Sequence, residues 1–341
     1  MRVGAARAVA VDWVRERARR DPSVQGAFFS GSTVGLPDEA VLPVSSDVDV
    51  LLVRDGPGVK LGKFRHRGVL LEVSEVSWAD LGTPEDVLGS WVFAPMFRTD
   101  TVIVDPTGRL GAVRERVSAC YADPVWVRRR CAGVLRRVES GLAGLVDAGP
   151  LHEQVLAWIF PTSVLALLPV VAAGWDPTVR RRYVRAREAL TACGFGARYP
   201  QLLASLDGGG VGPGRVREHL AALAVTFDEA ARVARTGFAF SADVTAVGRP
   251  VVVDGGAELV AAGAHREAMF WVVVTFARCH AILAVDAPER ERVLRPAFEA
   301  AVADLGVGSA ALRRGRSAAV LGSLPGWAAV ADAVVSRGVA G

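Results

Sequence analysis

Residues 46–53 have the sequence Ser-Asp-Val-Asp-Val-Leu-Leu-Val, and this segment is the best indication of how the N-terminal part of the chain folds. Its apolar, β-branched run predicts a strand over residues 47–53. Successive side chains of a strand point to opposite faces, so Asp47 and Asp49 are expected on the same face. Two adjacent carboxylates repel each other unless a cation joins them, and Mg²⁺ binds through one or two carboxylates plus substrate phosphates. The pattern therefore predicts a magnesium site on this strand.

A second motif, Gly31-Ser32, ends the apolar run that precedes this strand. Residues 25–30 predict a strand, and the glycine permits a tight turn at which the backbone can approach a phosphate. The Ser32 hydroxyl can hydrogen-bond a phosphate oxygen, and Thr33 follows it. We therefore expect Gly31, Ser32 and Thr33 to receive the β- and γ-phosphates of a nucleoside triphosphate. Either motif alone also fits a surface turn or a solvated strand face, so the prediction depends on their occurrence together.

Two glutamates lie on the next predicted strand, residues 69–76. Glu72 and Glu75 are three residues apart, so a regular strand turns them to opposite faces. Only one of them can then join the two aspartates. A further short strand is expected at residues 101–104, where Asp-Pro follows.

Taken together, the motifs resemble the nucleotidyltransferase superfamily typified by DNA polymerase beta, and within it the branch that adenylylates the aminoglycosides streptomycin and spectinomycin. That family has an apolar strand, Gly-Ser, a short helix and loop, Asp-x-Asp on the next strand, and a third carboxylate on a later one. The resemblance covers roughly residues 24–105 and implies Glu72, within Leu-Glu-Val, as the third carboxylate. One departure is the loop, because fourteen residues, 33–46, separate Ser32 from Asp47, a few more than the family's usual spacing.

The resemblance implies magnesium-dependent transfer of a nucleoside monophosphate, AMP from ATP or its equivalent from another nucleoside triphosphate, to a hydroxyl of a small molecule. Asp47 and Asp49 would hold one or two Mg²⁺ ions. Glu72 would either complete the metal shell or accept the proton of the acceptor hydroxyl. Lys63 or Arg65 would neutralise the triphosphate; the other interpretation is that both are exposed loop charges. The role would lie in antibiotic resistance or in a biosynthetic cluster.

The composition of the chain limits its number of domains, its partners and its location in the cell. The 341 residues, of which 51% are hydrophobic, suffice for two domains. The net charge of +4 is modest and no basic groove interleaved with aromatic residues is visible, so a nucleic-acid partner is not expected. Four cysteines without paired spacing favour unpaired thiols in a reducing cytoplasm. The N-terminus has no apolar core of a secretory signal, and the protein is expected to be cytoplasmic.

Two apolar runs have the composition of membrane spans, residues 155–173 and residues 269–285. The first contains two prolines, and the second is interrupted by Arg278 and His280. Helices buried on all sides within a helical domain explain both runs, so no membrane association is predicted.

The expected architecture is α+β, with a catalytic domain of the polymerase beta-like type, a mixed sheet flanked by helices, over residues 1–122. An α-helical substrate-binding domain would follow over residues 123–341. A small-molecule acceptor is expected between the domains, where ligand sites commonly lie. In the resembling enzymes the helical domain supplies acidic and aromatic side chains, and the counterparts here are Glu153 and Trp158. The other interpretation of Glu153 is the solvated first turn of a helix.

Helical periodicity is visible both before the first strand and through most of the C-terminal part. Residues 251–253 are expected as a small strand or an extended loop, and Gly255-Gly256 as a loop. The predicted helices cover residues 5–20, 110–122, 125–146, 151–173, 177–193, 214–235, 264–285, 289–304 and 310–321, with a last one after Pro325.

Two other classes of function remain open. One is a nucleotidyltransferase that modifies a protein or a nucleic acid, with the arginines of residues 180–187 as its binding surface. The simpler interpretation of those arginines is an exposed helix face. The other class is a non-catalytic relative that binds nucleotide. A homodimer is also left open.

Overall fold

In a computed structural model the chain divides into two compact units. The first comprises Met1–Arg130 with Gly174–Pro177, and the second comprises Cys131–Ala173 with the chain from Thr178 onward. The chemical roles expected of residues 1–122 and 123–341 stay predictions. The structure describes residues 1–43, 45–56, 58, 60–145 and 148–338.

The first unit is built on a five-stranded mixed sheet. The strand order is β3-β4-β2-β1-β5, in which β2 and β4 run parallel and the other neighbours run antiparallel. This confirms the α+β class and, within a residue or two, all four predicted strands. The strands are β1 Val24–Ser30, β2 Val48–Arg54, β3 Lys60–His66, β4 Val69–Ser77 and β5 Val102–Val104.

Strand β3 was not predicted, because it lies at the edge of the sheet and its sequence shows no clear apolar alternation. Phe64 of β3 packs against Trp13, with the centroids of the two rings 5.2 Å apart. The interpretation of Lys63 and Arg65 as loop charges is therefore wrong, since both belong to this strand. Arg65 is exposed, as that interpretation expects, whereas Lys63 is not.

Helices cover both faces of the sheet. They are α1 Val3–Arg20, α2 Trp78–Leu81, α3 Pro84–Gly89 and α4 Arg109–Cys120. On α1, Ala6, Ala10 and Val14 are spaced four apart, so one stripe of the helix is buried against the sheet. Val50 and Leu52 of β2 belong to the same core as that stripe, whereas Val53 packs into the core on the opposite face. Asp47 and Asp49 therefore share the face of β2 that points away from α1.

The second unit is helical. Helix α12 is buried over most of its length and packs against α6, α10, α11 and α13. The unit boundary falls within α5. The helices are α5 Pro124–Ala143, α6 Leu151–Val164, α7 Leu167–Ala172, α8 Arg182–Ala192, α9 Tyr199–Leu206, α10 Pro213–Val233, α11 Arg249–Ala261, α12 His265–Asp286, α13 Pro288–Asp304 and α14 Ala310–Ser336.

The expectation of a strand or extended loop at residues 251–253, followed by a glycine loop, is wrong. All of these residues belong to α11. Gly256 allows the close packing of α11 on α10, because a Cβ there would lie 2.6 Å from Cδ2 of Leu220. Tertiary packing here outweighs the strand preference of the valines and the helix-breaking tendency of the glycines.

Several predicted helix boundaries also differ from the structure, and two of the differences involve proline. The helix expected over residues 151–173 is broken after Val164, because Pro169 has no N–H for the Leu165 carbonyl. That carbonyl instead accepts from the N–H of Leu168 at 3.1 Å. Conversely, α14 continues through Pro325, which is exposed, so water can satisfy the carbonyl that loses its N–H partner.

In the part of the chain that the structure describes, three segments are long and apolar enough to cross a membrane, by length and composition alone. Within each segment, we consider an apolar stretch of 18 residues. The buried share of this stretch is 83% in Leu151–Ala172, 78% in His265–Asp286 and 33% in Ala310–Ser336. Packing among helices of the second unit thus accounts for the apolar composition of the first two segments, which overlap the two runs noted in the sequence.

Candidate active site

Four polar residues form one row across four neighbouring strands. The strand register pairs Lys63 with Glu72, Glu72 with Asp49, and Asp49 with Ser30. Asp47 lies two residues before Asp49, just ahead of β2, and faces the same side. Strand pairing therefore gathers on one face charged residues that are scattered over a long stretch of sequence.

Three carboxylates converge at this row. Asp47, Asp49 and Glu72 each offer an oxygen, and these oxygens lie within 4.8 Å of one another. Among the described residues this is the only group of three or more His, Cys, Asp or Glu side chains so placed. Oxygen-only donors suit a hard divalent cation such as Mg²⁺, so the residues fit the metal that the resemblance implies.

Glu75 lies elsewhere. Its carboxylate pairs with Arg54, at 2.5 Å from Nε, and its side chain is 7% exposed. The structure thus places Glu72, and not Glu75, beside the aspartates, as strand alternation allows.

The Gly31 turn lies directly against the carboxylate group. β1 ends at Ser30, and residues Gly31–Thr33 form a single turn of 3-10 helix. Gly31 has a φ of 69°, and a Cβ there would lie 1.8 Å from Oδ2 of Asp49. Only glycine satisfies both the backbone angle and this close approach. Ser32 is exposed beside Gly31, whereas Thr33 is fully buried.

Sequence reasoning missed Arg7, which holds this turn in place from α1. Its guanidinium donates to the carbonyls of Thr33, Val34 and Leu36, the last at 2.9 Å, and pairs with Asp38 at 2.8 Å. In the sequence, Arg7 is one of several arginines on an amphipathic helix. No pattern marks it as different from them.

Two lysines, the only ones in the chain, neutralise part of the carboxylate charge. Lys63 Nζ donates to Oδ2 of Asp47 and to Oε2 of Glu72, and its side chain is 8% exposed. Lys60 Nζ lies 2.6 Å from the other oxygen of Glu72. Arg65, the other predicted phosphate-neutralising residue, is exposed and donates to the carbonyl of Gly68 at 3.3 Å.

Burial and the neighbouring charges shift the pKa values of the three carboxylates. Burial raises the pKa of Asp47, and it raises the pKa of Asp49 further because the charges of Asp47 and Glu72 add to it. Burial also acts to raise the pKa of Glu72, but Lys63 and Lys60 outweigh it and lower that pKa to about 2. Three carboxylates and two ammonium groups leave one net negative charge when all are ionised, which favours the uptake of a further cation.

The predicted acceptor residues do not share a surface. Glu153 is exposed in the first turn of α6, while Trp158 of the same helix is fully buried. The arginine-rich segment is not uniformly exposed either. Arg182 is 5% exposed, stacks 4.3 Å from the ring centroid of Phe270 and donates to Oγ of Ser163 at 2.7 Å.

A scan against models of protein families gives no match for the chain, and a search of curated proteins likewise gives none.

Proposed function

We propose that the protein is a magnesium-dependent nucleotidyltransferase of the polymerase beta-like fold. It would transfer a nucleoside monophosphate, AMP from ATP, to a hydroxyl of a small molecule such as an aminoglycoside or a natural-product intermediate, and release pyrophosphate. One observation carries the proposal: the oxygens of Asp47, Asp49 and Glu72 meet within 4.8 Å beside the glycine turn.

Each part of the site has a role in this reaction. Asp47, Asp49 and Glu72 would hold Mg²⁺, which when bound neutralises phosphate charge and orients the reacting oxygens. The turn at Gly31 and Ser32 offers backbone N–H groups and an exposed hydroxyl to the β- and γ-phosphates. The acceptor oxygen forms a bond to the α-phosphorus as the bond to the pyrophosphate oxygen breaks. Glu72 or water takes the hydroxyl proton.

The structure also bears on the competing classes. The burial of Arg182 argues against a surface at residues 180–187 that binds nucleic acid or protein. A non-catalytic relative has no need to bring three carboxylates together beside a glycine turn, at the electrostatic cost described above. A cytoplasmic location belongs to the same proposal and is supported by the burial of two of the three apolar segments found among the described residues.

The test is pyrophosphate release from ATP and Mg²⁺ in the presence of a panel of aminoglycosides and other polyols. We expect turnover with at least one acceptor, and none in Asp49→Asn, which removes a metal-binding oxygen from β2. Asp12→Asn serves as the control, because Asp12 is 59% exposed and pairs only with Arg67 among the described residues. Failure of the wild-type protein to bind ATP with Mg²⁺ in a calorimetric titration would overturn the proposal.

A further inference from the structure

We propose that Lys63 is an internal counter-ion that competes with the divalent cation for the site, so that the cation binds tightly only together with the nucleoside triphosphate. The inference rests on the proposed function and adds to it a means of coupling the two ligands.

The position of Lys63 is the first step of the argument. Its ammonium lies between two of the three carboxylates and donates to Asp47 and Glu72. The side chain is 8% exposed, and the residue stands opposite Glu72 in the register of β3 and β4. Asp49, the third carboxylate, forms no ion pair within the described part of the chain. Lys63 therefore neutralises two of the three carboxylates that a metal ion would use.

Competition follows from distance and charge. Mg²⁺ lies about 2.0–2.1 Å from its oxygen ligands. A cation that used the oxygens bound by Lys63 would be in contact with the ammonium, and two positive charges at such a distance repel strongly in a buried site. Binding of the cation therefore requires that the ammonium move away. The flexible four-carbon stem of lysine permits this while β3 stays in place.

The triphosphate supplies a new partner for the displaced ammonium. Lysine binds phosphate well as a point charge, and a triphosphate bound at the Gly31 turn would bring its oxygens to the same face of the sheet. With the nucleotide present, the cation gains phosphate ligands and Lys63 gains phosphate contacts. Each ligand then strengthens the binding of the other by the same factor.

The neighbouring cations do not share these properties. Lys60 pairs with Oε1 of Glu72 at 2.6 Å, and its side chain is 28% exposed. Arg65 is exposed and hydrogen-bonds a backbone carbonyl. Arg65→Gln thus removes a positive charge from the same strand without altering a contact to the carboxylates, which makes it a matched control.

The first experiment measures Mn²⁺ binding by electron paramagnetic resonance without nucleotide. We expect Lys63→Gln to tighten Mn²⁺ binding by about tenfold. Lys63→Arg, which keeps the charge, and Arg65→Gln should leave the affinity unchanged. Addition of a non-hydrolysable ATP analogue should improve Mn²⁺ binding much less in Lys63→Gln than in the wild type. Equal Mn²⁺ affinity in Lys63→Gln and the wild type would overturn the inference.

A second experiment uses the wild-type protein, so it does not depend on whether the variants fold. Because the chain has two lysines, acetylation by an amine-reactive ester can be followed by mass spectrometry separately at Lys63 and at Lys60. Saturating Mn²⁺ should raise the reactivity of Lys63, and the ATP analogue with Mn²⁺ should lower it again. Unchanged reactivity while Mn²⁺ binds would reject the inference alone. Absence of Mn²⁺ and ATP binding together would reject the proposed function as well.

Discussion

Gly31 and Asp49 lie so close that a Cβ on the glycine would be 1.8 Å from Oδ2 of the aspartate. This contact joins the two motifs that dominate the sequence, the Gly-Ser turn after β1 and the Asp-x-Asp pair of β2. Neither motif is therefore an independent surface feature. The turn determines where the carboxylate of Asp49 can lie, and Asp49 requires that the turn contain glycine.

Gly31→Ala tests this relationship. The substitution imposes a positive φ on alanine, at a cost of about 1–2 kcal/mol in the free energy of unfolding, and pushes the Asp49 carboxylate aside. We expect a loss of roughly 10²-fold in transfer rate, since small displacements in a site have effects of that size. Gly68→Ala is the control, because Gly68 has a φ of 83° and open space around its Cβ position. Similar activity in both variants would contradict the prediction.

The two glutamates of β4 provide a matched pair of substitutions. Glu72→Gln should slow single-turnover AMP transfer by roughly 10²- to 10⁴-fold, with nucleotide binding retained, if Glu72 accepts the hydroxyl proton. Loss of Mg²⁺-dependent nucleotide binding instead would assign it to the metal shell. Glu75→Gln should leave transfer unchanged but lower the free energy of unfolding by about 1–3 kcal/mol, because it weakens the pair with Arg54. A slow Glu75→Gln beside an active Glu72→Gln would reverse the assignment.

Local patterns in the sequence predicted part of the centre of the site. The alternation of residues 47–53 predicted both the strand and the shared face of its aspartates. The same rule turned Glu72 and Glu75 to opposite faces, but the choice of Glu72 came from the family resemblance. These features depend only on the two-residue alternation of side chains along a strand, which can be recognised within a short segment of sequence.

The periphery of the site depends on contacts between distant parts of the chain. The sequence of β3 is too polar to indicate a strand, and only its pairing with β4 places Lys63 opposite Glu72. Arg7 reaches a loop more than twenty residues away. In the second unit, packing of α11 on neighbouring helices converts a run of valines into helix. No window of local sequence contains this information.

The role of Arg7 in holding the glycine turn can be measured by kinetics. Arg7→Gln removes the donors to the carbonyls of Thr33, Val34 and Leu36, so the turn should bind phosphates less well. We expect the KM for ATP to rise by about tenfold, with a smaller change in kcat. Arg7→Lys should recover only part of the loss, since an ammonium lacks the guanidinium fork. Arg2→Gln is the control, because Arg2 is exposed and donates to the carbonyl of Glu39 at 2.8 Å. An equal rise in KM for both variants would exclude a specific role.

The second unit contains a buried histidine whose ionisation should affect stability. His280 of α12 is fully buried, with its ring 4.9 Å from that of Phe298 and its Nδ1 3.2 Å from Glu291 of α13. Burial lowers the pKa of His280 from 6.5 to about 4, although Glu291 partly opposes the shift. The other titratable or charged groups nearby are His152 of α6 and Arg295 of α13, which both act to lower the pKa.

We predict that the free energy of unfolding falls as the pH is lowered from about 6.5 to about 4. In this range the unfolded chain takes up a proton at His280 that the folded protein does not, so acid favours unfolding, by at most about 3 kcal/mol. His280→Phe keeps a ring in the stack with Phe298 and removes the titration, and it should flatten the dependence. A smaller slope should remain, because burial also lowers the pKa of His152. Urea unfolding at a series of pH values measures both slopes, and an unchanged slope in His280→Phe would show that His280 is not the group responsible.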